Sequence, residues 1–267
     1  MTAGLAVSGL RAGYGGAPAV DGVGFALGPG RVAALAGENG SGKSTLLKAI
    51  AGVLPRREGE IRLEGESITG WPRRKSARAI AYAAQSADLV FPIAVRDLVL
   101  QGRAPWRGGF LRETAEDRAI ADDAMRACDV LDLAERDATR LSGGERRRAF
   151  LARLLAQRAR VWLLDEPTAD LDPRHRLEFL DVLREAHARL RPIVLWATHD
   201  VNEALAIADD LLLLRRGRVV AAGPVADALV PEALAAAFSI GAAVERDPAG
   251  RPRVTFSRAG PGLSEPL

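Results

Sequence analysis

The residues best suited to chemistry form a glycine-rich run, GENGSGKS, between an apolar strand pattern and a helical pattern. The run fits G-x-x-x-x-G-K-[ST], the pattern of a phosphate-binding loop. Gly40 and Gly42 would let backbone N–H groups turn inward around phosphates, which a Cβ would obstruct. Lys43 could then reach the outer phosphates and Ser44 could bind Mg²⁺, at a helix N-terminus that favours anions. The alternative is a glycine-rich turn that matches by chance. The predicted phosphate-binding residues are Gly37, Glu38, Asn39, Gly40, Ser41, Gly42, Lys43, Ser44 and Thr45.

Two adjacent carboxylates, Asp165 and Glu166, end the apolar run VWLLDEP. The run predicts a buried strand of a parallel sheet, and ligands bind at the carboxyl ends of such strands. Asp165 would hold the Mg²⁺ that Ser44 also binds, and Glu166 could polarise the attacking water. A capped strand end explains an isolated Asp-Glu equally well. The prediction therefore depends on the pairing of these carboxylates with the loop around Lys43.

A third motif, LSGGE, covers residues 141–145. Ser142 can cap the helix that follows, and Gly143 and Gly144 allow a close backbone approach to an anion. An ordinary helix start would explain Ser142 but not two adjacent glycines. With this motif the sequence resembles the ATP-binding cassette (ABC) ATPases over most of its length. The resemblance implies that LSGGE is the signature motif, which contacts the γ-phosphate bound by a partner subunit. Arg147 stands where that family usually has glutamine, and we expect little consequence from this departure.

The same resemblance assigns roles to four further residues. Gln85, at the end of AIAYAAQ, is similar to the Q-loop glutamine, which senses Mg²⁺ and links the ATP site to a helical insertion. His199 in WATHD is similar to the switch histidine, whose imidazole can donate a hydrogen bond to the γ-phosphate; a structural histidine is the alternative. Asp172 in TADLD, residues 168–172, is similar to the acid of the D-loop, which crosses to the other subunit. Tyr14 is similar to the aromatic that stacks on adenine, with an exposed strand-end tyrosine as the alternative.

The strand and helix patterns predict an α/β fold with a phosphate-loop NTPase core around a parallel sheet, because apolar strands alternate with helices. Short alternating strands near the start of the chain predict an antiparallel β region. Residues 86–140 predict an inserted helical subdomain. We therefore expect a nucleotide-binding domain over residues 1–243 and a short tail over 244–267, which its Pro and Gly content predicts to end loosely.

Composition narrows the function classes. The chain has 267 residues with a net charge of +3, and its 37 basic residues are interleaved with acids, so we expect no nucleic-acid partner. A single cysteine excludes an internal disulfide and a cysteine metal cluster. The chain has neither a secretion signal nor an uninterrupted apolar segment of about 20 residues. We expect a cytosolic protein unless a partner holds it to a membrane.

Because every catalytic position of the family is filled, the sequence predicts an active ATPase that uses ATP and Mg²⁺. The resemblance implies a homodimer, or a paired cassette, that sandwiches two ATP molecules. It also implies transmembrane permease subunits and, indirectly, a substrate-binding protein. The expected location is peripheral, on the cytoplasmic face of the inner membrane. The alternatives are the ATPase of another importer or of an exporter, or a soluble ABC ATPase without a transport role. The chain has no coiled-coil insertion, second cassette or basic tract, which several soluble types would require.

Two segments bear on the kind of transporter. Residues 96–106, RDLVLQGRAPW, and residues 247–254, DPAGRPRV, resemble regions of ATPases from ferric-siderophore, haem and cobalamin uptake systems. A plain connector between helices is the alternative for GRAPW. The segment LVFPI at residues 89–93, between Gln85 and the first of these two segments, is unusually apolar for a loop. It is predicted either to receive a cytoplasmic helix of the permease or to form the core of the helical subdomain.

Overall fold

The structure is a computed structural model that describes residues 4–54, 57–85, 89–107, 113–169, 171–248 and 250–258. These residues form two compact units, one made of the segments up to residue 69 and from 195 onward, the other of residues 70–194. The strands are β1 (Leu5–Ala12), β2 (Val20–Leu27), β3 (Val32–Ala36), β4 (Arg57–Leu63), β5 (Glu66–Ser67), β6 (Ile80–Ala83), β7 (Val161–Asp165), β8 (Ile193–Thr198), β9 (Asp210–Arg215), β10 (Arg218–Pro224), β11 (Gly241–Arg246) and β12 (Pro252–Ser257). The α-helices are α1 (Lys43–Ile50), α2 (Arg73–Ala79), α3 (Val95–Leu100), α4 (Ala115–Ala127), α5 (Gly143–Ala156), α6 (Pro173–Leu190), α7 (Val201–Leu205), α8 (Val225–Ala228) and α9 (Pro231–Phe238).

The first unit begins with an antiparallel sheet in the order β2-β1-β4-β5. Leu5 of β1 lies opposite Leu27 on one side and Leu63 on the other. All three side chains are buried, because residues directly opposite each other on paired strands point to the same face of the sheet. This sheet is the antiparallel β region that the sequence predicts.

The second sheet of this unit places β3 at its centre, in the order β10-β9-β3-β8. β3 and β9 are parallel, with Ala33 opposite Asp210, and β10 returns antiparallel to β9. All five residues of β3 are buried, which is the pattern of a parallel strand covered on both faces. The chain leaves the carboxyl end of β3 through the glycine-rich loop and enters α1.

The described residues between 241 and 258 are more ordered than their composition predicts. We expected residues 244–267 to end loosely, but β11 and β12 form an antiparallel hairpin. Val254 of this hairpin is buried in an apolar cluster, and its backbone exchanges hydrogen bonds of 2.7 and 2.9 Å with the Asn202 side chain. The expectation was wrong for the hairpin because long-range contacts outweigh local composition. β11 crosses position 243, and the domain boundary placed there stays a prediction; residues 249 and 259–267 lie outside the described residues.

The second unit pairs β6 and β7 in parallel, with Ile80 opposite Val161. Between these strands the chain forms α3, α4 and α5, which pack against one another. This part of the chain contains the helical subdomain predicted over residues 86–140, of which 86–88 and 108–112 lie outside the described residues.

The GRAPW segment forms a structural junction in this unit, as a 3-10 helix over Gln101–Trp106. The buried Arg103 donates a 3.0 Å hydrogen bond to Asp117 of α4 and a 2.9 Å bond to the carbonyl of Ala156 in α5. A Cβ on Gly102 would lie 2.2 Å from a carbonyl oxygen of α5, so only glycine fits there. The segment therefore fastens α4 to α5 rather than merely connecting helices.

Among the described residues, no helix combines the length and the apolar character that crossing a membrane requires.

Replacing Asp117 tests the buried pair. Burial alone would raise the pKa of Asp117, but hydrogen bonds from Arg103 and Thr114 lower it below its usual value. A carboxyl whose folded-state pKa is lowered contributes stability above its unfolded pKa of about 3.9, and this stability is lost as the pH falls through the folded pKa. We expect Asp117→Asn to lower the free energy of unfolding by about 3 kcal/mol at pH 7, because Arg103 loses its counter-charge, and by progressively less as the pH falls below the unfolded pKa of about 3.9.

The matched control is Asp123→Asn, which removes an exposed carboxylate paired with Arg126 in α4. We expect a change within about 0.5 kcal/mol. Urea unfolding of both variants between pH 3 and 7 measures the difference. Equal effects at pH 7 would mean that the Arg103–Asp117 pair does not stabilise the unit.

Candidate functional site

The predicted phosphate-binding loop packs so closely that side chains are excluded at two positions. A Cβ on Gly37, where φ is +153°, would lie 2.1 Å from the carbonyl oxygen of Leu214. A Cβ on Gly42, where φ is +106°, would lie 2.5 Å from the carbonyl oxygen of Ala19. The loop owes its shape to these glycines, because backbone reaches positions that any side chain would obstruct.

The ammonium group of Lys43 lies inside this loop. Lys43 is only 5% exposed, and its Nζ donates hydrogen bonds of 2.8 and 3.0 Å to the carbonyl oxygens of Gly37 and Glu38. Ser44 beside it is half-buried and Thr45 is buried, whereas Asn39 is exposed at the tip of the loop.

The loop suits an anionic ligand. Ser41 is buried, and its Oγ has no hydrogen-bond partner among the described residues, although buried hydroxyls are normally paired. The first turn of α1 carries no acidic residue that would repel an anion from the positive end of the helix. A phosphate would satisfy both the hydroxyl and the N-terminus of α1, so these residues fit the predicted ligand.

Tyr14 lies in the loop between β1 and β2 and is 68% exposed. Its hydroxyl accepts a 3.3 Å hydrogen bond from Nζ of Lys48, which belongs to α1. The ring is therefore held beside the helix that starts at the phosphate loop, with most of its surface open to a planar ligand.

His199 belongs to the same unit and follows β8 directly. Its side chain is exposed. The next residue, Asp200, caps α7 by accepting a 3.2 Å hydrogen bond from the backbone N–H of Glu203. The helix start is thus formed by Asp200, so His199 is not needed as its cap.

The remaining predicted residues belong to the second unit, where Asp165 ends β7. Asp165 is 2% exposed and accepts a 2.9 Å hydrogen bond from the hydroxyl of Tyr82, on the neighbouring strand β6. Tyr82 was not among the predicted site residues. In the sequence it is one apolar residue of AIAYAAQ, and only the pairing of β6 with β7 reveals its partner.

Glu166 adopts an unusual backbone conformation, with a φ of +47°. Non-glycine residues held in this region store strain, and such residues cluster at functional sites. Its Oε2 accepts a 3.1 Å hydrogen bond from Nε2 of Gln85, 81 residues earlier in the chain. The structure therefore brings these two predicted residues together.

The LSGGE motif starts α5, with Ser142 as the N-cap. The Ser142 hydroxyl accepts from the backbone N–H of Glu145, and the Glu145 carboxylate accepts a 2.8 Å bond from the N–H of Ser142. This bond from the backbone of Ser142 is the main reason that the pKa of Glu145 lies below its usual value. Gly143 is exposed, and a Cβ at this position would meet nothing within 4 Å among the described residues, so an anion can approach the helix end closely.

Asp172, the predicted D-loop acid, caps α6. It accepts a 3.0 Å hydrogen bond from the backbone N–H of His175 and lies 2.5 Å from Nδ1 of the same histidine. The first of these bonds is the main cause of a lowered pKa of Asp172. A Cβ on Gly144 would lie 2.3 Å from Cδ2 of His175. His175, which no sequence pattern singles out, therefore lies against both the predicted signature motif and the predicted D-loop; Asp170 lies outside the described residues.

The apolar segment at residues 89–93 is not a core element throughout. Val90 and Phe91 are 79% and 77% exposed, so the alternative that this segment forms the core of the helical subdomain is wrong for these two residues. Leu89 and Ile93 are half-buried.

The same unit contains a cavity of about 660 Å³, lined in part by Gln85, Gln101, Phe150, Leu154 and Phe179.

Comparison with known proteins gives consistent matches. The family model described as ABC transporter matches residues 20–169. The hemin import ATP-binding protein HmuV of Streptomyces coelicolor is 47% identical over 219 residues, which are 82% of this chain and 77% of that protein. The cobalamin import ATP-binding protein BtuD of Halobacterium salinarum is 39% identical over 245 residues, which are 92% of this chain but 61% of that longer protein.

Among solved structures, an inward-facing conformation of a metal-chelate type ABC transporter matches with a TM-score of 0.82. The sequence identity is 28%, over 96% of this chain and 98% of that chain. The similarity confirms the predicted α/β fold class with a phosphate-loop core.

Substitution of Gly42 and Gly40 tests how the loop is built. Gly42→Ala introduces both an unfavourable φ and a contact with the carbonyl of Ala19, so we expect it to lower the free energy of unfolding by about 3 kcal/mol. Gly40→Ala, at a φ of +79° with nothing among the described residues within 4 Å, should cost only the backbone strain, about 1 kcal/mol. Chemical denaturation measures both values. Similar values would contradict the close approach seen at Gly42.

Proposed function

We propose a function from one premise, which is that the chain belongs to the ABC transporter family. The predicted resemblance to the ABC ATPases is thereby confirmed, and the chain is an ATP-binding, ATP-hydrolysing subunit of this family. The proposal adds the roles of individual residues, the assembly and the transported substrate. The observation that carries the catalytic part is the hydrogen bond between Gln85 and the strained Glu166, directly after the buried Asp165.

The phosphates of ATP are bound by the loop over residues 37–45. Lys43 contributes a charge-assisted hydrogen bond, and Ser41 Oγ, which has no hydrogen-bond partner in the described part of the chain, supports phosphate as its partner. Tyr14 stacks on the adenine ring, which its 68% exposure allows.

Ser44, Gln85 and Asp165 would hold Mg²⁺ through oxygen atoms, the donor type that this ion prefers, and the ion would supply positive charge to the phosphates. Buried Asp165 suits this role because Tyr82 fixes one of its oxygens.

Glu166 polarises the water that attacks the γ-phosphate, and the products are ADP and phosphate. Its carboxylate is oriented by the Gln85 amide, and general-base catalysis needs such fixed geometry. His199 donates a hydrogen bond to the γ-phosphate and helps to orient the water. Its exposed position at the carboxyl end of β8 is compatible with this role.

The active assembly is a homodimer, or a pair of cassettes, that encloses two ATP molecules. Ser142, Gly143 and Gly144 contact the γ-phosphate bound by the partner chain, and Asp172 crosses the same interface. Support comes from the exposure of Ser142 and Gly143 at the N-terminus of α5, where backbone N–H groups are available to an anion.

ATP hydrolysis energises the import of a metal chelate of the haem, siderophore or cobalamin type. The supports are the names and identities of the two import ATP-binding proteins, the metal-chelate type structural match and the resemblance of residues 96–106 to ATPases of such uptake systems. In this proposal the nucleotide-binding domain over residues 1–243 acts on the cytoplasmic face of the inner membrane. It works beneath permease subunits that receive the chelate from a substrate-binding protein, without any nucleic-acid partner.

Substitution of Glu166 tests the catalytic assignment. We expect Glu166→Gln to bind ATP normally and to lose turnover by at least about a hundredfold, because an amide is a far weaker base than a carboxylate. The variant should also accumulate as a dimer in size-exclusion chromatography with ATP and Mg²⁺. Turnover close to that of the wild type would refute the role of Glu166.

Lys43→Ala is the companion variant, because it should weaken ATP binding itself by removing a charge-assisted phosphate contact. It should form no ATP-dependent dimer, alone or combined with Glu166→Gln. Unchanged ATP affinity in a titration would count against the loop as the phosphate site.

We also propose that the apolar segment at residues 89–93 docks onto the permease, and Phe91→Asp tests this contact. Because Phe91 is 77% exposed, we expect the free energy of unfolding to change by no more than about 0.5 kcal/mol, while co-purification with the permease subunits is lost. The control is Leu177→Asp, which places the same charge at a 61% exposed leucine of α6 and should leave the complex intact. If Phe91→Asp unfolds the isolated subunit, or if it co-purifies normally, the docking proposal fails.

A further inference from the structure

We propose that Arg147 is a positioning residue for ATP hydrolysis, which holds the Gln85 segment and the turn after Glu166 in one fixed arrangement. Its Nη1 donates a 2.7 Å hydrogen bond to the backbone carbonyl of Gln85, and its Nη2 donates a 3.2 Å bond to the carbonyl of Ala169. These carbonyls lie 62 and 22 residues away along the chain. The sequence predicted little consequence from arginine at this position, whereas the structure gives it two long-range contacts.

Each of these two carbonyls belongs to a residue that is itself hydrogen-bonded to Glu166. The Gln85 side chain donates to the Glu166 carboxylate at 3.1 Å, so anchoring the Gln85 backbone limits where its amide can point. On the other side, the N–H of Ala169 donates to the carbonyl of Glu166 at 3.1 Å and closes the turn. The Arg147 guanidinium therefore restrains Glu166 in two ways. It restrains the Glu166 carboxylate through Gln85, and it restrains the Glu166 backbone through the turn that Ala169 closes.

Glu166 needs such restraint, because a residue with a φ of +47° keeps this conformation only where its surroundings impose it. A small displacement of a catalytic group from its productive position can lower the rate by one or two orders of magnitude. Restraint of Glu166 is therefore expected to affect the chemical step more than ATP binding.

Arginine suits this task better than the alternatives. Its planar guanidinium presents several donors in a fixed fork and can reach two carbonyls at once. Lysine is a point charge on a flexible stem, and glutamine has a shorter side chain with a single amide nitrogen.

The neighbouring arginines make different contacts. Arg146 lies near the carbonyls of Thr139 and Leu141, at 3.4 and 3.5 Å, and Arg148 pairs with Glu178 at 3.1 Å. Arg146 thus offers a control of the same residue type on the same helix, with contacts that do not lead to Glu166.

The test compares Arg147→Ala, Arg147→Lys and the control Arg146→Ala in the full-length chain. The inference rests on the proposed role of Glu166, so Glu166→Gln is measured alongside. We expect Arg147→Ala to lower kcat by about tenfold to a hundredfold, with KM for ATP and the melting temperature close to the wild-type values. Arg147→Lys should recover part of kcat because it can still reach one carbonyl. Arg146→Ala should keep the wild-type kcat.

Hydrogen–deuterium exchange gives a readout that is independent of turnover. Peptides that contain Gln85 and Ala169 should exchange faster in Arg147→Ala than in Arg146→Ala. The inference is overturned if the two alanine variants have the same kcat and exchange, or if kcat in Arg147→Ala falls only together with the melting temperature. Wild-type turnover in Glu166→Gln would instead overturn the proposed catalytic role, whatever Arg147→Ala does.

Discussion

The phosphate-binding loop depends on the close approach of its backbone to neighbouring carbonyl groups. Gly37 and Gly42 approach the carbonyls of Leu214 and Ala19 so closely that a Cβ would overlap them. The loop then surrounds the 5% exposed Lys43, whose ammonium is costly to bury unless carbonyl groups solvate it. Because packing fixes these groups, little conformational entropy is lost when a phosphate binds, and preorganisation of this kind strengthens binding.

Asp165 and Glu166, the carboxylates of the second unit that we propose for metal binding and catalysis, are held by polar contacts from distant parts of the chain. Tyr82 fixes Asp165 from the neighbouring strand, and Gln85 fixes Glu166 from the segment after that strand. Arg147 then holds the backbone of Gln85 from a helix. Because each of these contacts positions the next, losing one affects more than the residue that made it.

Motifs whose residues are adjacent in sequence could be predicted, and contacts between distant residues could not. The loop around Lys43, the strand ending at Asp165 and the helix start at Ser142 each have a local pattern of glycine, apolar or capping residues, and the structure places them on the expected elements. Tyr82 is 83 residues from Asp165, so no local pattern connects the two. The same limit explains the error over the tail, where the contact of Asn202 with Val254 spans 52 residues.

The two capping residues proposed for the dimer interface differ in what they can offer a ligand. Ser142 uses a lone pair to accept from the Glu145 N–H, so its hydroxyl hydrogen remains able to donate to a phosphate oxygen. Asp172 can only accept when ionised, and its lowered pKa keeps it ionised near neutral pH. Direct contact between this carboxylate and a phosphate would be repulsive. Capping and ligand binding are therefore compatible at Ser142, whereas the chemistry of Asp172 favours contact with hydrogen-bond donors of the partner chain rather than with the nucleotide phosphates.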